Sequence, residues 1–254
     1  MISRYDATLN GISLASISGD ILVLDINPTP AVFGDERIQT AKRYGSRMVR
    51  RNYESASVSI SFEIHAYDIR KRQEICNAVV KWAKNGGVLE TNDRQGQFLR
   101  CVCSQYPAIE SARNWIDPVT VAFTAYEIPF WQEKDTVSVK LTGTSKTGSL
   151  YIPGNVDGTL VEATIKANAS LSSVTLGVNS RTLTLSGLSI SSGGIINITY
   201  DEHGIQSIKN GNTSLLSKRT GVDDLIGNCG ESNSLSLTAS ASVDATFIGR
   251  GLWL

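Results

Sequence analysis

The sequence has 254 residues, 24 basic and 24 acidic side chains, and a hydrophobic share of 41%. These values permit two ordinary domains with real cores, and the zero net charge argues against bulk nucleic-acid binding, which usually needs a basic excess. No run reaches the roughly 20 apolar residues of a membrane-spanning helix, and residues 1–6 contain no apolar secretory segment. We therefore expect neither a membrane anchor nor export.

The first predicted element is a β-hairpin in residues 6–14. Asn10-Gly11 lies there between two short arms of alternating apolar residues, which is the strongest local hairpin signal. Residues 21–26 predict the next strand, which Pro28 and Pro30 end.

A basic segment follows at residues 37–51, with six basic residues and no acidic one. Gly45 interrupts it and no apolar period is sustained, so we predict an extended arm or long loop rather than a packed element. It could be a solvated basic loop, or an arm that contacts a neighbouring subunit or a polyanion. A nuclear-localisation or DNA-reading role is least favoured, because no recognition motif accompanies it. The candidate contact residues are Arg37, Lys42, Arg43, Arg47, Arg50 and Arg51.

Strict alternation over residues 58–66 predicts a half-buried strand. A helix from about residue 68 to residue 85 comes next, with Asp68 as its N-cap and Gly86 as its stop. Its predicted apolar stripe packs on the sheet and comprises Ile69, Cys76, Val79, Val80 and Ala83.

Strands are predicted at residues 97–105 and 119–126. Charged residues are dense up to Asp135 and sparse beyond it, where Ser, Thr, Gly and Asn dominate. We therefore predict two domains, residues 1–134 and 135–254. The second shows many alternating segments separated by turns, which is typical of a β-sandwich. Residues 250–254 are expected to dock as a last strand.

Motifs that carry chemistry are missing from the sequence. It contains no phosphate-binding glycine loop, dinucleotide fingerprint, hydrolase nucleophile elbow or zinc-protease helix motif. The four cysteines are expected to be buried, reduced thiols. His65 is interpreted as a surface residue, and Asp201-Glu202-His203-Gly204 as a polar turn. We predict a protein without catalytic residues, metal or cofactor.

Several features of the chain occur together in a fixed order: a basic arm before an alternating strand, a helix with a late tryptophan before a Gly-x-Leu strand, an aromatic-rich end of the first domain, and an Asn-Gly turn before two closing strands. They lie at Arg43–Arg47, Val58–Ala66, Val79–Trp82, Gly87–Leu89, Phe123–Tyr126, Pro129–Trp131, Asn210-Gly211, Ser234–Phe247 and Arg250–Leu254. In this order and spacing the chain resembles the distal tail protein family of siphophages and related prophages, over nearly its whole length.

The resemblance implies a mainly β protein with an N-terminal β-sandwich bearing one α-helix and an extended arm, and a C-terminal galectin-like β-sandwich. It implies a homo-hexameric ring at the virion tail tip that is assembled in the bacterial host cytoplasm. One ring face would meet the tail tube protein and the other a tail-associated or baseplate protein. DNA would pass through the channel without specific binding, and the arm would reach a neighbour or face the lumen.

Two alternatives stay open at this point. One is a carbohydrate-binding module for host-surface attachment, because galectin-like sandwiches bind sugars; the second domain, however, has few aromatic residues. The other is a tail hydrolase, for which the sequence shows no catalytic constellation.

Overall fold

The computed structural model describes residues 5–39, 46–108, 118–201, 203–221 and 224–254, with the backbone alone for residues 35–39 and 46–51. Two compact units are present: Met1–Gln132 with Leu254, and Glu133–Trp253. Strands dominate both, so the predicted mainly β class is confirmed. The galectin-like character of the second unit stays a prediction.

The first unit is an antiparallel sheet with one helix against it. The sheet order is β2-β1-β7-β8-β9-β6-β3, while β4 and β5 form a separate two-stranded sheet. The elements are β1 (Ala7–Leu9), β2 (Ile12–Ser13), β3 (Ile21–Thr29), β4 (Phe33–Gln39), β5 (Ser46–Tyr53), β6 (Ser57–Ile64), α1 (Ile69–Ala83), β7 (Gly87–Thr91), β8 (Gln97–Gln105) and β9 (Val119–Ala125).

The core of this unit lies on one face of β6 and β9. The alternation that predicted the strand is confirmed, because Val58, Ile60, Phe62 and Ile64 are all buried. Phe123 on β9 pairs with Val58 and is also fully buried. Apolar burial of this kind contributes about 25 cal/mol per Å2 of area removed from water, so these two strands form the centre of the unit.

Helix α1 differs from its predicted stripe at two positions. Asp68 is confirmed as N-cap, since its side chain accepts a hydrogen bond from the Arg70 amide. Ile69 is 48% exposed, however, and Val80 is only partly buried. The stripe is rotated because Arg72 occupies a core-facing position, where its guanidinium donates to the Ala66 carbonyl at 2.7 Å. The buried residues are Arg72, Ile75, Cys76, Val79 and Ala83.

Within the described ranges, no helix has the length and apolar character needed to cross a membrane.

The predicted Asn-Gly hairpin is confirmed and also anchors the end of α1. Asn10 and Gly11 have φ of 51° and 80°, as a type I′ turn requires. The Asn10 amide donates to the Gly86 carbonyl and accepts from the Val88 amide, both at 2.9 Å. Gly87 leaves room for this contact, because a Cβ there would lie 2.1 Å from the Asn10 side-chain oxygen.

Asn10→Ala is therefore expected to lower the free energy of unfolding by about 2 to 3 kcal/mol, through lost hydrogen bonds and an unfavourable positive φ. Asn10→Gly removes the side-chain hydrogen bonds but tolerates the positive φ, so it should recover part of the free energy of unfolding that Asn10→Ala loses. Urea unfolding of the three proteins measures both effects. An Asn10→Gly protein as stable as the wild type would show that the two side-chain bonds contribute nothing.

The second unit is all β. Its strands are β10 (Trp131–Tyr151), β11 (Asp157–Leu160), β12 (Glu162–Ala167), β13 (Leu171–Val178), β14 (Arg181–Ile190), β15 (Ile195–Tyr200), β16 (Gln206–Asn210), β17 (Thr213–Ser214), β18 (Arg219–Thr220), β19 (Ile226–Asn228) and β20 (Ser232–Trp253).

Strand β20 is central to the second unit because it pairs with two other strands. Its first half pairs with β13 and its second half with β12; β10 also neighbours it. The separate last strand expected at residues 250–254 is wrong, because the chain continues β20 to Trp253 without a break. Gly249 and Gly251 do not interrupt it. They let other chain segments approach, since a Cβ at Gly251 would lie 2.7 Å from the Pro153 carbonyl.

One buried amide lies at the start of β20. Asn233 is 1% exposed, and its side chain makes five hydrogen bonds. Its oxygen accepts from the Asn228 amide and the Asn179 side chain, at 2.7 and 2.9 Å. Its nitrogen donates to the carbonyls of Leu150, Asn228 and Glu231. A buried amide with every polar atom bonded fixes the local geometry.

Candidate assembly surface

The expected extended arm is a β-hairpin rather than an irregular loop. We call residues 33–53 the arm. It continues the β3–β6 pair, which ends at Thr29 opposite Ser57, and it begins at Phe33 opposite Tyr53. Seven residue pairs are described, up to Gln39 opposite Ser46. At about 3.4 Å per residue, the paired part is roughly 20 Å long.

Aromatic rings hold the root of the arm. Phe33 stacks on Tyr53 with ring centroids 4.1 Å apart, and Tyr53 meets Phe130 edge-on at 4.7 Å. The Glu54 amide donates to the Val32 carbonyl at 2.7 Å. Such ring pairs are worth about 0.5 to 1.5 kcal/mol beyond area burial, so the arm leaves the unit from a fixed base.

The hairpin register shows which charged residues of the arm lie opposite each other. Asp35 lies opposite Arg51 and Glu36 opposite Arg50, so two of the predicted contact residues have acidic partners across the hairpin. The sequence prediction began at residue 37 and missed this, although the acidic pair directly precedes it. Arg37 and Arg47 lie opposite Met48 and Ile38. Lys42 and Arg43 fall outside the described residues. By sequence, residues 33–53 still contain four more basic than acidic residues.

The arm has two open strand edges. In the described ranges, β4 and β5 pair only with each other. A two-stranded hairpin is marginally stable by itself in water, and free edges invite pairing with another strand. The main sheet is protected at its own ends: β2 has two residues, and β3 carries Pro28 and a register shift between Val23 and Asp25.

A second feature is the sheet face opposite the core, on β3, β6 and β9. Cross-strand partners there share a face and form three rows. We call these residues the Ser/Thr face. Its positions on β6 and β9 are partly exposed and those on β3 are exposed. The rows are Thr29–Ser57–Thr124, Asn27–Ser59–Ala122 and Asp25–Ser61–Thr120.

Titratable groups near this sheet form a surface ion-pair cluster. Lys71 contacts Asp20 at 2.5 Å, and this contact lowers the pKa of the Asp20 carboxyl. His65 Nε2 lies 2.8 Å from a Glu63 oxygen, and the His65 side chain is partly exposed. The cluster joins the loop before β3 to α1, a structural arrangement with exposed, mutually paired charges.

Three of the four cysteines are buried as expected, and Glu202 of the predicted polar turn lies outside the described residues. Cys76, Cys101 and Cys229 are buried free thiols, while Cys103 is only partly buried. Burial raises the pKa of Cys101 to about 12, which makes it unreactive. The Asp201 carboxylate accepts from the His203 and Ile205 amides. Over the described ranges, no three His, Cys, Asp or Glu residues are grouped to hold a metal ion.

Most of the aromatic residues of the second unit are buried or hydrogen-bonded within that unit. Phe247 is fully buried. Trp253 donates to the Glu133 carboxylate at 2.7 Å, and the Tyr200 hydroxyl accepts from Gln206 and from the Leu225 amide. Tyr151 is 59% exposed. Three of the four rings that the carbohydrate-binding alternative needed are thus engaged within the unit.

Sequence comparisons give no relatives: no protein-family model and no curated protein matches the chain. Solved structures, in contrast, do match the chain. The crystal structure of SPP1 Dit (gp 19.1), described as a paradigm of the hub adsorption apparatus in phages infecting Gram-positive bacteria, matches with a TM-score of 0.73 at 10% identity, covering 98% of this chain and 99% of that one.

Two structures of the phage P2 baseplate in its activated conformation, with Ca and with Sr, match less closely. Their TM-scores are 0.45 and 0.44, with identities of 9% and 10% and coverage of 98% or more of each chain. At these identities the likeness concerns the fold. The resemblance to the distal tail protein family is confirmed at that level by the SPP1 Dit structure.

Proposed function

We propose that this chain, which has the fold of the phage hub protein SPP1 Dit, is itself a structural hub at the distal end of a phage or prophage tail. The observation that carries the proposal is the fold match over 98% of this chain and 99% of SPP1 Dit. A likeness over both units together is more informative than one over a single β-sandwich, because common sandwich folds host many unrelated functions.

The hub is a homo-hexameric ring closed by the arm. A ring made from one kind of chain needs a head-to-tail interface, in which one surface patch meets a different patch on the next copy. The arm supplies one such patch, because it projects from a fixed aromatic root and has two unpaired edges within the described residues. The candidate contact residues are Arg37, Lys42, Arg43, Arg47, Arg50 and Arg51.

Charge complementarity supports a second copy as the partner of the arm. Residues 33–53 contain six basic and two acidic side chains, a net charge of +4. Because the whole chain is neutral, the remainder carries a net charge of −4. The arm of one copy and the body of the next therefore attract each other. Opposite patches of this kind steer association and fix its register.

The two domains have separate tasks in this proposal. Residues 1–134 build the ring, and residues 135–254 lie on its outside. One ring face joins the tail tube protein and the other a tail-associated or baseplate protein, while DNA passes through the channel without specific binding. The protein is a component of the virion tail tip that assembles in the host cytoplasm. It performs no chemistry of its own.

The deciding experiment measures the mass of the purified protein by light scattering and images the same sample in negative stain. We expect closed rings at low ionic strength and a rising share of monomer as salt is added, because screening shortens the range of the attraction between arm and body. Isolated tails provide the second sample, since partners can promote closure. A monomer in solution together with no ring density at the tail tip would contradict the proposal.

A further inference from the structure

Three Asn-Gly pairs in the chain carry a chemical reactivity that the proposed function does not use. They are Asn10-Gly11, Asn85-Gly86 and Asn210-Gly211. Asparagine is a labile residue, and glycine after it has no Cβ to shield its backbone nitrogen, which can therefore attack the side-chain amide carbon. By sequence the three pairs are equally reactive. The structure distinguishes them, because attack needs a free asparagine side chain, an available glycine N–H and a chain that can bend until the two atoms meet.

The side chain of Asn10 is held at both ends. Its Nδ2 donates to the Gly86 carbonyl and its Oδ1 accepts from the Val88 amide, both at 2.9 Å. Gly87 packs directly against the same side chain, with no space for a Cβ between them. Attack by the Gly11 nitrogen would first have to break both hydrogen bonds. The fold therefore protects Asn10.

The side chain of Asn85 is exposed, but the glycine that follows it is not available for attack. Gly86 is buried, and its N–H donates to the Ala83 carbonyl at 3.0 Å. The backbone of Gly86 also lies so close to the Cys101 carbonyl on β8 that a Cβ there would clash. Turning this peptide toward the Asn85 side chain would break the hydrogen bond at the end of α1. The fold therefore protects Asn85 as well, through its neighbour.

Asn210 meets all three conditions. It ends β16 and is partly exposed, and within the described ranges its side chain makes no hydrogen bond and the Gly211 N–H donates none. Gly211 is exposed with φ of 55°, and apart from its chain neighbours nothing described lies within 4 Å of the place of a Cβ. In the same ranges β17 consists of two exposed residues that pair with β16 alone. Short, exposed edge elements of this kind open at little cost in free energy.

We propose that Asn210 is the asparagine of this chain that deamidates spontaneously in the folded protein, independently of any ring. The Gly211 nitrogen bonds to the Asn210 Cγ and loses its proton, while the side-chain nitrogen leaves as ammonia and a cyclic succinimide remains. Water then opens the ring. Attack at the side-chain carbonyl gives aspartate, and attack at the main-chain carbonyl gives isoaspartate. Nothing is oxidised or reduced, and a neutral amide becomes a carboxylate beside Lys209.

Peptide mapping by mass spectrometry tests this assignment on the full chain. One sample is aged folded in mildly alkaline buffer and another is aged unfolded in guanidinium chloride; both are digested at acidic pH, where digestion adds little deamidation. Fragment ions separate Asn210 from Asn212, and chromatography separates aspartate from isoaspartate. All three pairs should react at similar rates when unfolded. In the folded chain Asn210 should react about tenfold faster than Asn10 and Asn85, or more, because those two sites must first break local hydrogen bonds.

Gly211→Ala is the matched variant. Its methyl group shields the attacking nitrogen, so deamidation at Asn210 should slow several-fold while Asn10 and Asn85 keep their rates. The comparison of folded and unfolded wild-type chain needs no variant, so it decides the assignment even where alanine strains the turn. The inference is wrong if Asn10 or Asn85 reacts as fast as Asn210 in the folded chain. Formation of aspartate without isoaspartate would equally overturn it, because the succinimide gives both.

Discussion

In the proposed assembly, deleting residues 35–51 is expected to leave a folded monomer that no longer forms rings. The deletion joins Gly34 to Asn52, and Phe33 then closes a two-residue turn opposite Tyr53, as the two already pair in the hairpin. Gly-Asn is a favoured two-residue hairpin turn, and the stacked rings of Phe33, Tyr53 and Phe130 are retained. We therefore expect the rest of the chain to stay folded in this variant.

The loss of the arm should weaken each interface by about 4 kcal/mol or more, which is roughly a thousandfold in association constant. A graded control replaces residues 40–45 with Asn-Gly. This variant keeps the described hairpin pairs and removes Lys42 and Arg43 as its only charged residues, so it should close rings at an intermediate protein concentration. Analytical ultracentrifugation measures both. If the full deletion variant still formed closed rings, the arm would have no role in ring assembly.

The second large effect is expected at Asn233. Asn233→Ala removes five hydrogen bonds from a site with 1% exposure and leaves the Asn228 amide, the Asn179 side chain and the Leu150 carbonyl without this partner. Orphaned buried polar groups cost about 1 to 3 kcal/mol each. We expect the free energy of unfolding to fall by about 4 kcal/mol, at the upper end of single substitutions.

Asn197→Ala is the matched control in the same unit. Asn197 is exposed and accepts one hydrogen bond from Thr164 at 3.2 Å. Asn197→Ala should therefore lower the free energy of unfolding by no more than about 0.5 kcal/mol. Urea unfolding of the full chain gives the energies, and hydrogen exchange locates the change to β10, β19 and β20. If the free energy of unfolding of Asn233→Ala lay within about 1 kcal/mol of the wild-type value, water would be taking over the hydrogen bonds of the Asn233 side chain.

Net charge says only that positive and negative side chains are equal in number. The arm, residues 33–53, nevertheless has a net charge of +4, and the rest of the chain has −4. The zero net charge argues against bulk nucleic-acid binding, while this uneven distribution is what the proposed contact between the arm of one copy and the body of the next requires.

Local patterns sufficed for much of the architecture. Alternation predicted β6 and β9, Asp68 marked the start of α1, and Asn10-Gly11 predicted the first hairpin. The helix ends at Ala83 with Lys84 as its C-cap, two residues before the predicted end at residue 85. Each of these signals acts between residues close in sequence, where steric and hydrogen-bond preferences decide. The order of the elements was enough to identify the resemblance, and with it the candidate role, although sequence comparison finds no matching family.

Contacts distant in sequence decided the rest. Burial of Arg72 depends on the Ala66 carbonyl, and it rotated the helix stripe away from Ile69 and Val80. The placement of Arg50 and Arg51 opposite Glu36 and Asp35 depends on the hairpin register. The three rows of the Ser/Thr face exist only once β3, β6 and β9 align. The sequence alone determined the strands, the helix and the basic excess of the arm; the tertiary structure decided which charged residues lie opposite each other and which residues share a sheet face, because register brings together residues that no local pattern relates.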